Sequence, residues 1–200
     1  MKSYIFGYGS LVNIDSAAKT LGRIINDNQV LIVDAIDFSR LWRLVTKVIV
    51  NGKQGEDVNA VFLDIAYQRG KESNGIVFEV SIDELKKLDI REQYYRRIDI
   101  TKYIRPHIQD GKVYTYQGKP EFFAENFTSP VVLAQYLKMI DEGIRRWGKS
   151  FSDKFKATTQ PLNFTIINGT YKFYNEEQNI LTGRDQFHRG RKRNDTIERY

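Results

Sequence analysis

Two hundred residues with 41% hydrophobic content are enough for one sizeable core, so the chain is expected to fold as one domain, residues 1–182, with a short tail over 183–200. The absence of cysteine excludes disulfides, thiolate nucleophiles and thiolate zinc sites together, and His107 and His188 lack any local spacing that marks a metal site or a triad. The formal charge of +6 is uneven: residues 183–200 hold six basic against three acidic residues, a net of +3. This tail reads as an exposed, solvated end rather than a surface for RNA or anionic lipid. No run approaches the roughly 18 apolar residues of a membrane span, and the start MKSYIFGYGS lacks the features of a secretion signal. A soluble, cytoplasmic protein with no membrane contact is expected, and no oligomerisation pattern is legible.

The first element is Tyr4-Ile5-Phe6-Gly7-Tyr8-Gly9-Ser10-Leu11, an apolar β-like run that breaks into a Gly-x-Gly-Ser turn. Such a turn brings backbone N–H groups and one hydroxyl to a point, as needed to hold a small anion. Two readings stand side by side here, a binding loop and a tight turn that only eases the chain into the next helix. That helix is expected from an Asp15 cap, with Ala17, Ala18, Leu21, Ile24 and Ile25 at helical spacing.

Residues 29–38 and 41–50 read as two strands before a turn at Asn51-Gly52, and residues 60–67 and 75–80 as two more, separated by the charged segment RGKESNG. Connections this short favour antiparallel pairing over crossovers. Ser81 and Glu84 form a capping box for a short helix carrying Ile82, Leu85 and Leu88. Strands are expected again at 97–100 and 113–117, with a turn at Asp110-Gly111. Ser129-Pro130 predicts the start of an amphipathic helix with Val132, Leu133, Tyr136, Leu137, Ile140, Ile144 and Trp147 on a core-facing stripe. A short helix over 150–160 and a hairpin about Asn168-Gly169 complete the chain. The order predicts an α+β fold, a curved or closed, mostly antiparallel sheet with helices outside it.

The opening turn lacks the third glycine of a dinucleotide fingerprint, because Val12 occupies that position, and no phosphate-binding G-x-x-x-x-G-K-[ST] occurs. Its serine follows both glycines instead of lying between them, so it is not a hydrolase nucleophile elbow. A second constellation runs from Leu88 to Arg97, where Glu92 stands among apolar residues and tyrosines, surroundings that raise a carboxyl's pKa towards the range useful for proton transfer. An Arg-Glu pair at a helix end is also a common solvated surface feature.

Taken together, residues 4–11, the strand Gly75-Ile76-Val77-Phe78-Glu79-Val80, the run Leu88-Asp89-x-Arg91-Glu92 and the nearby Tyr95 resemble the γ-glutamylcyclotransferase-like family, including its ChaC-type members. The resemblance covers about residues 3–120. It implies a small mixed, mostly antiparallel β-barrel flanked by helices, with Gly7, Tyr8, Gly9, Ser10 and Leu11 lining the substrate site and Glu92 as the acid-base residue. It also implies a small-molecule γ-glutamyl substrate, 5-oxoproline as product, and no metal or cofactor. The substrate's own α-amine attacks its γ-carbonyl, which fits a chain with no cysteine nucleophile. Family pockets use a tyrosine on a later strand, a position that Tyr114 or Tyr116 fills. Gln93-Tyr94-Tyr95 replaces the glycine that family members often carry after the Arg-Glu pair.

Overall fold

The structure is a computed structural model that describes residues 1–51 and 56–185. The expected turn at Asn51-Gly52 and the basic tail beyond Asp185 lie outside the described residues. In chain order the elements are β1 (Lys2–Gly7), α1 (Ile14–Leu21), β2 (Val30–Asn51), β3 (Glu56–Val80), α2 (Ile82–Arg91), β4 (Tyr95–Asp99), β5 (Ile104–Arg105) and β6 (Gly111–Gly118). They continue with β7 (Val131–Leu133), α3 (Ala134–Arg146), α4 (Lys149–Ala157), β8 (Thr165–Ile167), β9 (Thr170–Phe173) and α5 (Glu176–Thr182).

All nine strands belong to one curled, barrel-like sheet, whose main path runs β4-β6-β1-β3-β2-β5. Most pairs are antiparallel; β1 with β6, β3 with β7 and β7 with β8 are parallel. β1 is therefore a central strand, and Ile5 and Phe6 are almost wholly buried. This fits a near-continuous apolar run covered on both faces.

The four strands expected between residues 29 and 80 are two long ones. β2 and β3 pair along their whole lengths, and two irregularities bend the ladder without ending it. At the first, residues 68–71 of β3 face Asp37 alone. Gly70 there adopts φ +79°, which glycine allows at little cost, and its N–H donates to Asp37 Oδ1 at 2.7 Å. The polar segment RGKESNG thus contains a bulge, not a loop between separate strands. At the second irregularity Arg43 is the extra residue of β2. Its Nε donates to Asp64 Oδ2 at 2.6 Å, while Asp64 Oδ1 accepts from the N–H of Gly118 at 2.6 Å and of Ile65 at 2.7 Å. That buried carboxylate ties the end of β6 to β3 and β2 and holds the curl together.

Three further expectations change. Asn13, not Asp15, caps α1, its Oδ1 accepting from the N–H groups of Asp15 and Ser16, and the helix stops at Gly22 in the left-handed region (φ 75°), leaving Ile24 exposed. The helix expected from Pro130 begins at Ala134, because Val131, Val132 and Leu133 pair with β8, and Val131 also with β3. β-branched residues beside an unpaired strand edge suit a strand better than a first helical turn. Finally, β8 and β9 do not form a hairpin: β8 joins β7, and β9 crosses to β2. The capped helix α2 and the helix α4 lie where the pattern placed them. α5 was not anticipated.

Candidate active site

The turn after β1 is shaped by backbone contact. A Cβ on Gly7 would stand 2.7 Å from the carbonyl oxygen of Leu11, so the chain folds over this position only because no side chain is there. The Val12 N–H bonds the Gly9 carbonyl at 3.0 Å and closes a short 3₁₀ turn over Ser10–Val12. The N–H groups that open such a turn have no partner within it. α3 pins the turn from outside: Trp147 Nε1 donates to the Val12 carbonyl and Asn13 Nδ2 to that of Met139. The start of α1 offers no comparable donors, since Asn13 satisfies it.

The turn forms one wall of a cleft of about 290 Å³, lined by Tyr8, Gly9, Ser10 and Leu11 on one side and by Leu63, Glu92, Tyr95, Tyr116 and Tyr136 on the other. Gly7 shapes the turn from behind rather than lining the cleft. Tyr8 is buried, and its hydroxyl donates to the Tyr116 carbonyl at 2.6 Å. A second hollow of about 420 Å³ adjoins the first through Ser10, Glu92, Tyr95 and Tyr136, and extends to Met139, Tyr171, Phe173, Gln178 and Arg184. Glu92 therefore stands at the junction of two lobes.

Glu92 is the residue just past α2, and its N–H caps that helix by bonding the Leu88 carbonyl at 2.8 Å. Its side chain is only 13% exposed and meets Arg91 Nε at 2.9 Å. Burial holds the Glu92 carboxyl above the ordinary carboxylate range, and the charge and hydrogen bond of Arg91 partly offset this. The Arg-Glu pair is thus not a solvated surface pair. Arg91 is buried and spans three elements: Nη1 donates to the Ser16 carbonyl (2.9 Å) and Thr20 Oγ1 (2.7 Å), and Nη2 to Ser10 Oγ (2.8 Å) and Ser16 Oγ (3.0 Å). One guanidinium fixes both the serine of the turn and the carboxylate opposite it. Gln178 of α5 braces this from behind, donating to the Arg91 carbonyl at 2.7 Å and accepting from Gln93 at 3.0 Å.

The tyrosines depend on the second irregularity of the β2–β3 ladder. There the backbone of Leu63 accepts from the Tyr95 hydroxyl at 2.8 Å and donates to the Tyr136 hydroxyl oxygen at 3.3 Å. Tyr116 donates to Asp89 Oδ1 at 2.8 Å. Burial raises the pKa of Tyr8, Tyr95, Tyr116 and Tyr136, so all four remain neutral phenols. Tyr8, Tyr95 and Tyr116 spend their protons on these protein acceptors, and the Tyr136 hydroxyl, which accepts from Leu63, keeps its own. Of the two later-strand tyrosines considered, Tyr116 lines the cleft. The Tyr114 ring instead lies 5.3 Å from the guanidinium of Arg97.

The structure thus gathers Tyr8, Gly9, Ser10, Leu11 and Glu92 around one cleft, with Gly7 behind them. Sequence reasoning missed Arg91, whose alternation with apolar residues on α2 gave no sign of burial. It also missed Tyr136, which stands on the stripe assigned to the core, and the whole contribution of α5. Among the described residues no group of three His, Asp or Glu side chains could hold a metal ion, and no helix is long and apolar enough to cross a membrane.

A curled mixed sheet with flanking helices, and a cleft where the first strand ends in a glycine turn, define a γ-glutamyl cyclotransferase-like fold, and solved structures agree. The chain is similar over 92% of its length, and 99% of the other's, to a protein described as a gamma-glutamyl cyclotransferase, with 18% identity and a TM-score of 0.54. It is similar to a human protein described as uncharacterised, with 19% identity, coverage of 90% and 98% and a TM-score of 0.54. A yeast gamma-glutamyl cyclotransferase described as specific to glutathione matches with 11% identity, coverage of 81% and 99% and a TM-score of 0.50. No family model matches the sequence, and no curated protein matches it.

Proposed function

We propose that the protein is a cytoplasmic γ-glutamyl cyclotransferase, converting a γ-glutamyl amino acid, peptide or amine to 5-oxoproline and the free amine. The observation that carries this reading is the placement of Glu92, largely buried and held by Arg91, directly across a small cleft from the glycine turn. The γ-glutamyl group occupies the turn lobe, its α-carboxylate on the N–H groups of Ser10 and Leu11 and on the Ser10 hydroxyl. Glu92 takes a proton from the α-ammonium. The freed amine attacks the γ-carbonyl carbon and the C–N bond of the lactam forms. As the original amide C–N bond breaks, Glu92 returns the proton to the departing nitrogen, and the second proton of the attacking nitrogen passes through Glu92 to the released amine, leaving a neutral lactam and an ammonium ion. Tyr136, whose oxygen already accepts from Leu63, directs its own hydroxyl proton to the carbonyl oxygen as charge develops there. Nothing in this sequence of steps calls for a metal or a cofactor.

The test is to incubate the protein with glutathione, γ-glutamyl dipeptides and γ-glutamylamines and to assay 5-oxoproline. At least one should be turned over, and Glu92→Gln should lower kcat by roughly 10²- to 10⁴-fold. Full activity in that variant would refute the role of Glu92. Ligand binding without product would instead make this a non-catalytic binding domain on the same fold.

A further inference from the structure

The second lobe carries charge that the proposed cyclisation does not use. Its lining holds two arginines, Arg91 and Arg184, against one carboxylate, Glu92, and Glu92 is already matched with Arg91. Arg184 has no carboxylate partner among the described residues. Its guanidinium stacks over Tyr171 at 4.3 Å and lies 5.4 Å from the Phe173 ring; Nη2 donates to the Tyr171 hydroxyl at 2.6 Å, and Nη1 reaches the Thr182 carbonyl only at 3.4 Å. Nε is shielded from solvent and has no acceptor. An arginine has five N–H donors arranged to match a carboxylate, and most of these are idle. The two guanidiniums also repel: after burial and alongside the opposing pull of Glu92, Arg184 is among the groups that hold Arg91 below its ordinary pKa.

The position of Arg184 is fixed by local structure. α5 ends at Gly183 in the left-handed region (φ 68°), and the Arg184 N–H closes back onto the Asn179 carbonyl at 2.7 Å, the long bond of a Schellman cap. Asn179 is locked in turn to β9, accepting from the Phe173 N–H at 2.7 Å and donating to the Phe173 carbonyl at 2.8 Å. A cation held this firmly at one end of a hollow, without a counter-charge, is pre-organised for an anion.

We propose that Arg184 is the specificity residue for the leaving group, binding a carboxylate on the departing amine, so that the substrate is a γ-glutamyl amino acid or peptide rather than a γ-glutamylamine without that carboxylate. This rests on the proposed cyclotransferase reading, with the γ-glutamyl group in the turn lobe, Glu92 at the junction and the leaving group beyond it. The carboxylate supplies the charge that the second lobe lacks and accepts from the idle guanidinium donors.

The experiment compares γ-glutamylalanine with γ-glutamylethylamine, which differ only in that carboxylate, in the wild type, Arg184→Gln and Arg184→Lys. Binding is read by calorimetry and turnover by 5-oxoproline. The wild type should bind γ-glutamylalanine at least about tenfold more tightly, as expected for a charge-assisted contact. Arg184→Gln should raise KM for γ-glutamylalanine by about 10- to 100-fold with little change in kcat, and leave KM for γ-glutamylethylamine within about twofold. Arg184→Lys should recover part of the loss. The amine is the internal control for folding, because a misfolded variant loses both ligands. Equal wild-type binding of the two ligands, or equal effects of Arg184→Gln on both, overturns the inference. Carboxylate-dependent binding without any 5-oxoproline supports the Arg184 subsite and overturns the cyclotransferase reading.

Discussion

The two lobes of the cleft are built in opposite ways. The turn lobe takes its wall from contiguous residues of one strand end, and its donors are neutral: backbone N–H groups, a serine and the Tyr136 hydroxyl. The other lobe is assembled from α3, β9 and α5 and is charged, with Arg91 and Arg184 against Glu92. Under the proposed function this contrast separates two tasks. A neutral, backbone-shaped wall suits a group of fixed structure, whereas a charged hollow made of side chains from distant elements is where a variable partner is distinguished. Glu92, at their junction, belongs to both.

Breaking the junction should have the largest effect. Glu92→Gln is expected to remove activity on every γ-glutamyl compound to the same degree. The amide oxygen can still accept from Arg91, so circular dichroism should report a folded protein. Activity that survives on one class of leaving group would mean that the lobes do not share a catalytic residue.

Next comes Arg91→Met, which leaves Ser10, Ser16, Thr20 and Glu92 without their common partner. A loss of about 3–5 kcal/mol in chemical denaturation is expected, the size seen when one member of a buried charged pair is removed. Its pH profile is informative in whatever fraction folds. Arg91 favours the ionised form of Glu92, so its removal raises the carboxyl's pKa further. The base is active when deprotonated, so the acid limb of kcat/KM should move to higher pH than in the wild type. A limb that stays in place or moves down would show that Glu92 is not the titrating base.

Gly7→Ala tests the turn lobe alone. The new Cβ meets backbone at Leu11 that cannot swing aside, so about 1–3 kcal/mol of stability should be lost. KM should rise equally for γ-glutamylalanine and γ-glutamylethylamine, the opposite of the selective effect expected at Arg184. A selective rise would erase the distinction between the lobes. The smallest effect belongs to Tyr116→Phe. It removes one hydrogen bond to Asp89, which keeps its ion pair with Arg97, so about 1 kcal/mol is expected in thermal or chemical unfolding.

The turn lobe was legible in the sequence because its information is local. Gly7, Gly9 and Ser10 follow an apolar run, and backbone geometry over a few residues decides what such a turn presents. The capping box of α2 was legible for the same reason, and it delivers Glu92 just past the helix end. The second lobe was not. Tyr136 sits on an apolar stripe whose spacing is the same whether its hydroxyl meets core or cleft, and Arg184 sits in a basic run that composition assigns to solvent. The pairings of β8 and β9 were misread because a Gly-containing turn between two short β-rich runs has a local preference for a hairpin, and other strand edges competed successfully for both.

By itself, the sequence determined the α+β class, the glycine turn, the capped helix ahead of Glu92 and the exclusion of thiol chemistry, since each depends on residue type and near-neighbour spacing. Tertiary structure decided that β2 and β3 are continuous through their bulges. It decided that Arg91 is buried between the turn and Glu92, and that α5 returns to build the second lobe. Burial and counter-charge are set by which distant segments pack together, and spacing along the chain does not encode that.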